Sequence, residues 1–287
     1  MTKRLRIAVQ KSGRLSEVSD GLLKECGIRL KNNGKGTLLA SASNFPLDIL
    51  YLRDDDIPQY VEDGTADLGI LGENVVAESG ALVKTVKKLD FGRCRLSLAV
   101  PKNVDYQHLN WFNGKKIATS YPNILKKFMT DNHIKADVHT ISGSVEIAPN
   151  IGLADAICDL VSSGSTLLSN GLKEVEILLQ SEAVMVANPN IDAEGTRILN
   201  KLLFRLDAVM TARNNKYIIL NAPNESINDI ISVLPGMKSP TVVPLAAKGW
   251  SAIHSVLNEE QFWDVIDDLK RKGAQGILVV PIEKMIV

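Results

Sequence analysis

Two carboxylates four residues apart, followed at once by small hydroxylic residues, make the stretch of this sequence best suited to chemistry. It runs from Gly152 to Asn170 and reads GLADAICDLVSSGSTLLSN. Asp155 and Asp159 interrupt a short apolar run. Ser162, Ser163, Gly164, Ser165 and Thr166 follow, where a buried strand should end and a helix begin. Such a turn offers unpaired backbone N–H groups, hydroxyls and the positive end of a helix dipole, which together suit a phosphate. The two acids suit sugar hydroxyls, or a magnesium ion held through water. The same residues also read as an ordinary serine N-cap closing a strand–helix unit. The rest of the chain has to decide.

Further candidates sit at similar junctions. Lys11, Gly13 and Arg14 lie in the turn after the β-rich Leu5–Val9. They read either as solvated surface charge or as groups facing a polyphosphate or purine nucleotide, because ligands of open α/β sheets sit beyond the carboxyl ends of strands. Arg53 stands at a strand end beside Asp54, Asp55 and Asp56, a partner for those acids or for a ligand. The three acids and Pro58 read mainly as helix-start chemistry. Asp67 opens a buried strand that ends in Gly72, Glu73 and Asn74, and a glycine there permits close approach of backbone to ligand. Glu146 begins a helix behind Ser142-Gly143-Ser144. No Ser-His-Asp order, G-x-S-x-G elbow, P-loop or G-x-G-x-x-G occurs. The inventory matches two phosphate-bearing ligands on opposite sides of one cleft. A transfer through an oxocarbenium-like state asks only for positioning, neutralisation of the leaving group and exclusion of water.

Composition narrows the class. The 287 residues exceed what one core usually holds, and 45% apolar with 23% charged residues is ordinary globular composition. Lys+Arg and Asp+Glu balance at 33 each, which gives no global pull toward nucleic acid or a membrane surface and favours a small-molecule ligand. Cys26, Cys94 and Cys158 stand far apart, and the four histidines show no ligand spacing. Neither a zinc site nor a disulfide framework is expected, and a reducing, cytoplasmic setting is. The charged start MTKRLRIAVQ and the lack of a long apolar run predict no signal peptide and no membrane span.

The elements alternate as β-turn-α. Strands are predicted at 5–9, 48–52, 67–71, 82–89, 95–100, 116–120, 136–140 and 154–161, then a long β run at 175–186 (VEILLQSEAVMV). Ser16 is the expected N-cap of a helix with Val18, Leu22 and Leu23 on one face. A Gly/Asn-rich connection spans 31–36, and a helix from about 192 to 213 is long enough to separate two bodies. From about residue 212 the order becomes βαββαβ, with one helix stopped at Pro235-Gly236, which is the ferredoxin-like arrangement.

Together RLRIAVQKSGRLS, LRDDDIP, DLGILGENV, LDFGRCRLSLAVP, KIATSYP, SGSVEIAP and GLADAICDLVSSGSTL resemble the long form of ATP phosphoribosyltransferase. LPGMKSPTVVPLA and ILVVPIEKM resemble the C-terminal regulatory domain of the same family. The resemblance covers nearly the whole chain, in order. It implies an α/β protein with a two-lobed, periplasmic-binding-protein-like catalytic part: residues 1–91 and 185–211 in one lobe, 92–184 in the other, and 212–287 as a ferredoxin-like domain. It implies a pentosyltransferase opening histidine biosynthesis: N1 of ATP displaces pyrophosphate from C1′ of phosphoribosyl pyrophosphate (PRPP), with Mg²⁺ required. Carried over, Asp155 and Asp159 hold ribose hydroxyls, Ser162 to Thr166 wrap the 5′-phosphate, and Glu146 lies close to both substrates. Lys11, Gly13 and Arg14 line the cleft against ATP and pyrophosphate, and Arg53, Asp67, Gly72 and Glu73 line the facing lobe. The ion is held mainly by substrate. The resemblance also implies dimers and hexamers, with inhibitory histidine bound near Asn221, Ser239, Thr241 and Gly276; some members carry an acid or a histidine where Asn221 stands. The competing expectation is a non-catalytic two-lobed sensor. Type I phosphoribosyltransferases differ in carrying their two acids adjacent.

Overall fold

The computed structural model describes residues 3–31, 38–234, 236 and 239–287. Most of the Gly/Asn-rich connection, and the expected helix stop at Pro235, lie outside the described residues. The chain divides into two compact units, Met1–Lys24 with Ile28–Leu199, and Glu25–Gly27 with Asn200–Val287.

The first unit opens with β1 (Leu5–Gln10), α1 (Arg14–Glu25), β2 (Leu30–Lys31), β3 (Leu39–Ala42), β4 (Leu47–Leu52), α2 (Ile57–Glu62), β5 (Leu68–Gly72), α3 (Glu73–Ser79) and β6 (Lys84–Lys88). It continues through β7 (Cys94–Pro101), β8 (Lys116–Thr119), α4 (Pro122–Asp131), β9 (Asp137–Thr140), β10 (Ala156–Val161), α5 (Ser165–Ser169) and β11 (Leu172–Ser181). Then come β12 (Ala183–Ala187) and the long α6 (Ala193–Arg213).

Two sheets result, ordered β2-β3-β4-β1-β5-β12-β6 and β11-β7-β10-β8-β9. Each is the core of a lobe. The chain crosses from the first to the second between β6 and β7, and returns between β11 and β12. The single β run expected over 175–186 is therefore two strands. Ser181 pairs with Cys94 in the second sheet and Ala183 with Gly72 in the first, so hydrogen-bond partners switch at Glu182. β5 and β12 are apolar throughout and wholly buried, as strands covered on both faces must be. Leu96, Leu98, Phe112, Ile117, Leu125 and Cys158 form a core of the second lobe.

Local chemistry corrects two expected caps. α1 starts at Arg14, because the Ser16 N–H closes a turn onto the Gly13 carbonyl at 3.2 Å. Ser16 is thus a buried helix residue, not the N-cap, and Val18 faces solvent while Ser19, Leu22 and Leu23 face inward. Asp54–Asp56 form a 3-10 turn before α2, and no side chain caps either element.

The second unit adds β13 (Asn215–Pro223), α7 (Ile227–Val233), β14 (Thr241–Pro244), β15 (Trp250–Asn258), α8 (Glu259–Arg271) and β16 (Gln275–Pro281). The sheet order β14-β15-β13-β16, antiparallel throughout, is the ferredoxin-like pattern. α8 shows how sequence writes a helix. Asn258 accepts from the Glu260 N–H, Glu259 and Glu260 occupy the first turn, and Lys270 and Arg271 the last. The division between units falls at Leu199/Asn200, inside α6 and ahead of the change of texture near 212. The distal half of α6 is tied to the C-terminal segment, where the Met285 N–H bonds the Ala208 carbonyl at 2.8 Å. Among the described residues, no helix is long and apolar enough to cross a membrane.

Candidate functional site

In both lobes the parallel strands run toward a shared cleft, and the loops after their carboxyl ends line it. β1, β4 and β5 lead to the Lys11–Gly13 turn, to Arg53 and Asp54, and to Gly72–Asn74. β8, β9 and β10 lead to Ser120 and Tyr121, to Ile141–Gly143, and to Ser162–Thr166. Two cavities lie between the lobes. One of about 340 Å³ is lined by Gln10, Arg14, Asn74, Cys94, Tyr121 and Ser162, among others, and one of about 700 Å³ by Arg53, Asp54, Glu78, Tyr121, Ser142 and Gly143, among others.

The hydroxyl-rich loop presents amides and hydroxyls of the kind that suit an anion. Gly164 takes a left-handed φ of 80°, which a side chain would strain, and lets the chain turn from β10 into α5. The first helical bond is from the Leu168 N–H to the Gly164 carbonyl, so the amides before it precede the helical ladder. The Ser163 and Ser165 hydroxyls lie 3.0 Å apart. α5 has only five residues, so local amides and hydroxyls, not a helix dipole, supply the attraction expected here. Two arginines converge on Ser162. Arg14, from the first lobe, donates to its hydroxyl at 3.3 Å, and Arg95, on β7, donates to its carbonyl at 3.1 Å. Arg95 is in turn gripped by Glu174 through two hydrogen bonds of 2.5 Å each, and Ser97 donates to the same carboxylate at 2.6 Å. That fork holds Glu174 below the ordinary glutamate range.

Asp159 lies near the carboxyl end of β10. Burial pushes its carboxyl up to about 6, against the Leu160 N–H that bonds it, and nearby Glu146 raises it further. Glu146 belongs to a short 3-10 turn, not the helix expected there. The Tyr121 hydroxyl is pushed well above the tyrosine range, by burial and then by Asp159. Asp159, Glu146 and Tyr121 therefore form one electrostatic cluster near the hydroxyl-rich loop.

Several expected residues are not brought to the cleft. Asp155 precedes β10, where its carboxylate accepts from the Lys116 N–H at 2.9 Å and lies 4.0 Å from Lys115 Nζ. Asp67 precedes β5 and accepts from the Arg6 N–H at 2.7 Å. Each acid clips the start of a neighbouring strand, and a strand rising about 3.3 Å per residue carries it far from the opposite end. Asp155 and Asp159 thus do not meet at one ribose. Glu73 pairs with Lys88 at 3.0 Å. Lys11 is exposed at the end of β1, and Gly13 turns the chain toward Arg14. Gly72 does line the 340 Å³ cavity, but what approaches it most closely is protein: a Cβ there would fall 2.2 Å from Asn74 Oδ1. The sequence left Gln10, Asn74 and Tyr121 unmarked as cleft-lining residues, and Asp54 read mainly as a cap. Their common signal is position, just at or after the carboxyl end of a parallel strand.

In the second unit, Asn221 and Gly276 adjoin, a Cβ on Gly276 falling 3.4 Å from Asn221 Nδ2. Thr241 lies two strands away on β14, paired with His254, and Ser239 precedes that strand.

A paired-lobe α/β body with loops aimed into one cleft, followed by a ferredoxin-like module, defines a two-lobed, periplasmic-binding-protein-like architecture with an appended domain. The family model described as ATP phosphoribosyltransferase matches residues 53–208, and the one described as HisG, C-terminal domain, matches 212–284. An ATP phosphoribosyltransferase of Bacteroides fragilis is 59% identical over 283 residues, covering 99% of this chain and all of that one. One of Cytophaga hutchinsonii is 57% identical over 286 residues and the full length of both. A solved ATP phosphoribosyl transferase (HisG:HisZ) complex from Thermotoga maritima superposes with a TM-score of 0.61 at 27% identity, over 70% of this chain and 98% of that one. The chain belongs to the ATP phosphoribosyltransferase family, in its long form with the C-terminal domain.

Proposed function

We propose that this enzyme transfers the 5-phosphoribosyl group of PRPP to N1 of ATP, releasing pyrophosphate, as the first step of histidine biosynthesis. One observation carries the reading beyond family membership: the Arg14–Ser162 contact joins a basic turn of one lobe to the hydroxyl loop of the other, within the interlobe cleft. The Ser162–Thr166 loop binds the 5′-phosphate. Asp159 and Glu146 accept hydrogen bonds from the ribose hydroxyls, and Arg14 and Arg53 face the pyrophosphate and the triphosphate. Closure of the lobes excludes water from the oxocarbenium-like transition state.

Among the described residues no three His, Cys, Asp or Glu side chains are grouped to hold a metal. A carboxylate pair beside an anion loop fits Mg²⁺ carried on substrate phosphates, with Asp159 or Glu146 adding a direct or water-mediated contact. When bound, the ion neutralises charge on the leaving pyrophosphate. The C-terminal module binds inhibitory histidine around Asn221, Ser239, Thr241 and Gly276, and the enzyme works in the cytoplasm as dimers and hexamers. A non-catalytic sensor is not favoured, since the full-length relatives are named as transferases.

Mixing the protein with ATP, PRPP and Mg²⁺ should raise the ultraviolet absorbance as the adenine becomes N1-substituted, and chelating the metal should stop the rise. No change with all three present would sink the proposal.

A further inference from the structure

Helix α4 has no cap of its own. Tyr121 stands at its N-cap position without a side-chain capping bond, and Pro122 opens its first turn. The next two amides are bonded by a side chain of the other lobe. Glu78, near the end of α3, accepts from the Asn123 N–H at 2.8 Å with one carboxylate oxygen and from the Ile124 N–H at 3.0 Å with the other. Asn123 returns the contact, its side-chain amide donating to the Glu78 carbonyl at 2.9 Å. A second bridge lies beside it. Asn74, at the start of α3, donates to the Tyr121 hydroxyl at 3.3 Å and exchanges hydrogen bonds with Ser181, at the end of β11.

A carboxylate on the first amides of a ten-residue helix makes charge-assisted bonds at the positive end of its dipole. Local N-caps do this from the preceding residue, whereas here the group comes across the cleft. We infer that Glu78 is an interlobe positioning residue. It caps α4 from the opposite lobe, so that the first turn of α4, and Tyr121 with it, is set only while the lobes hold this arrangement. Opening the lobes removes the cap. Glu78 also lines the 700 Å³ cavity with Tyr121 and Arg53, so the fastener sits on the wall of the cleft. The consequence for catalysis rests on the reading of that cleft as the place where the two substrates meet.

The test uses the full chain, without substrates, as wild type, Glu78→Ala and Glu78→Gln. Hydrogen exchange at Asn123 and Ile124 should quicken about fivefold or more in the Ala variant. The Gln variant, which keeps one carbonyl acceptor, should fall between, and the Asn132 amide at the far end of α4 should not change. KM for ATP and for PRPP should then rise together, because the lobes and not one subsite are disturbed. Unchanged exchange at 123 and 124 overturns the inference, and so does acceleration spread evenly over the second lobe. If the Ala variant does not fold, the Gln variant decides by the same criteria. Faster exchange confined to 123 and 124, in a protein whose wild type makes no phosphoribosyl-ATP, upholds the cap and overturns the reading of the cleft.

Discussion

Asp159 is the residue whose environment departs most usefully from its chemistry in water. Its carboxyl is raised from 3.8 to about 6 by burial, so the folded chain holds the proton more tightly than the unfolded chain between those values. Stability therefore falls as pH rises through that window. Asp159→Asn should remove this residue's share of the fall: between about pH 5 and about pH 8, urea unfolding should show a loss of stability on the order of 1–2 kcal/mol greater in the wild type than in the variant. Arg95 works through another residue, by holding the Ser162 carbonyl and so the direction of the loop. Arg95→Met, which also strands Glu174, should raise KM for PRPP roughly tenfold or more while KM for ATP moves little. Equal change in both constants would place the effect outside the hydroxyl-rich loop. At this scale the sequence was a fair guide to type. It flagged Asp159, Arg14 and the hydroxyl loop, whose character is written in consecutive residues. It missed Tyr121 and Asn74, because nothing local marks a tyrosine before a proline or a buried asparagine as facing another lobe.

Strand direction governs the elements. The residues that line the cleft follow the carboxyl ends of parallel strands, while Asp67 and Asp155 precede the amino ends and clip neighbouring strands there. Both acids sit in motifs, DLGIL and DAICD, that look functional when read as strings. Their repetition is a structural device used once in each lobe. Gly72 has a similar lesson. Its missing side chain makes room for Asn74, which binds Ser181 and Tyr121 across the lobes. Gly72→Ala should lower stability by about 1–3 kcal/mol in thermal or urea unfolding, by forcing Asn74 from those bonds. The added cost should largely vanish when Asn74 is already alanine, the mark of two residues coupled through one contact.

At the scale of the molecule, the chain is two compact units of different fold, the two-lobed body and the ferredoxin-like module. If the ferredoxin-like module binds histidine, Asn221→Ala or Thr241→Val in the full-length enzyme should raise the half-inhibitory histidine concentration about tenfold. The rate without histidine should stay within about twofold, and assays at fixed ATP and PRPP over a histidine series measure both. The alternation of strands and helices, the βαββαβ tail and the family were determined by sequence alone. Periodicity, capping chemistry and loop composition are local, and local physics is legible in a string. Only the tertiary structure decided which candidates meet. A strand carries residues four apart some 13 Å from each other, so Asp155 and Asp159 part company. Folding two lobes against one another brings Arg14 to Ser162, 148 residues away, and lends α4 its cap from Glu78.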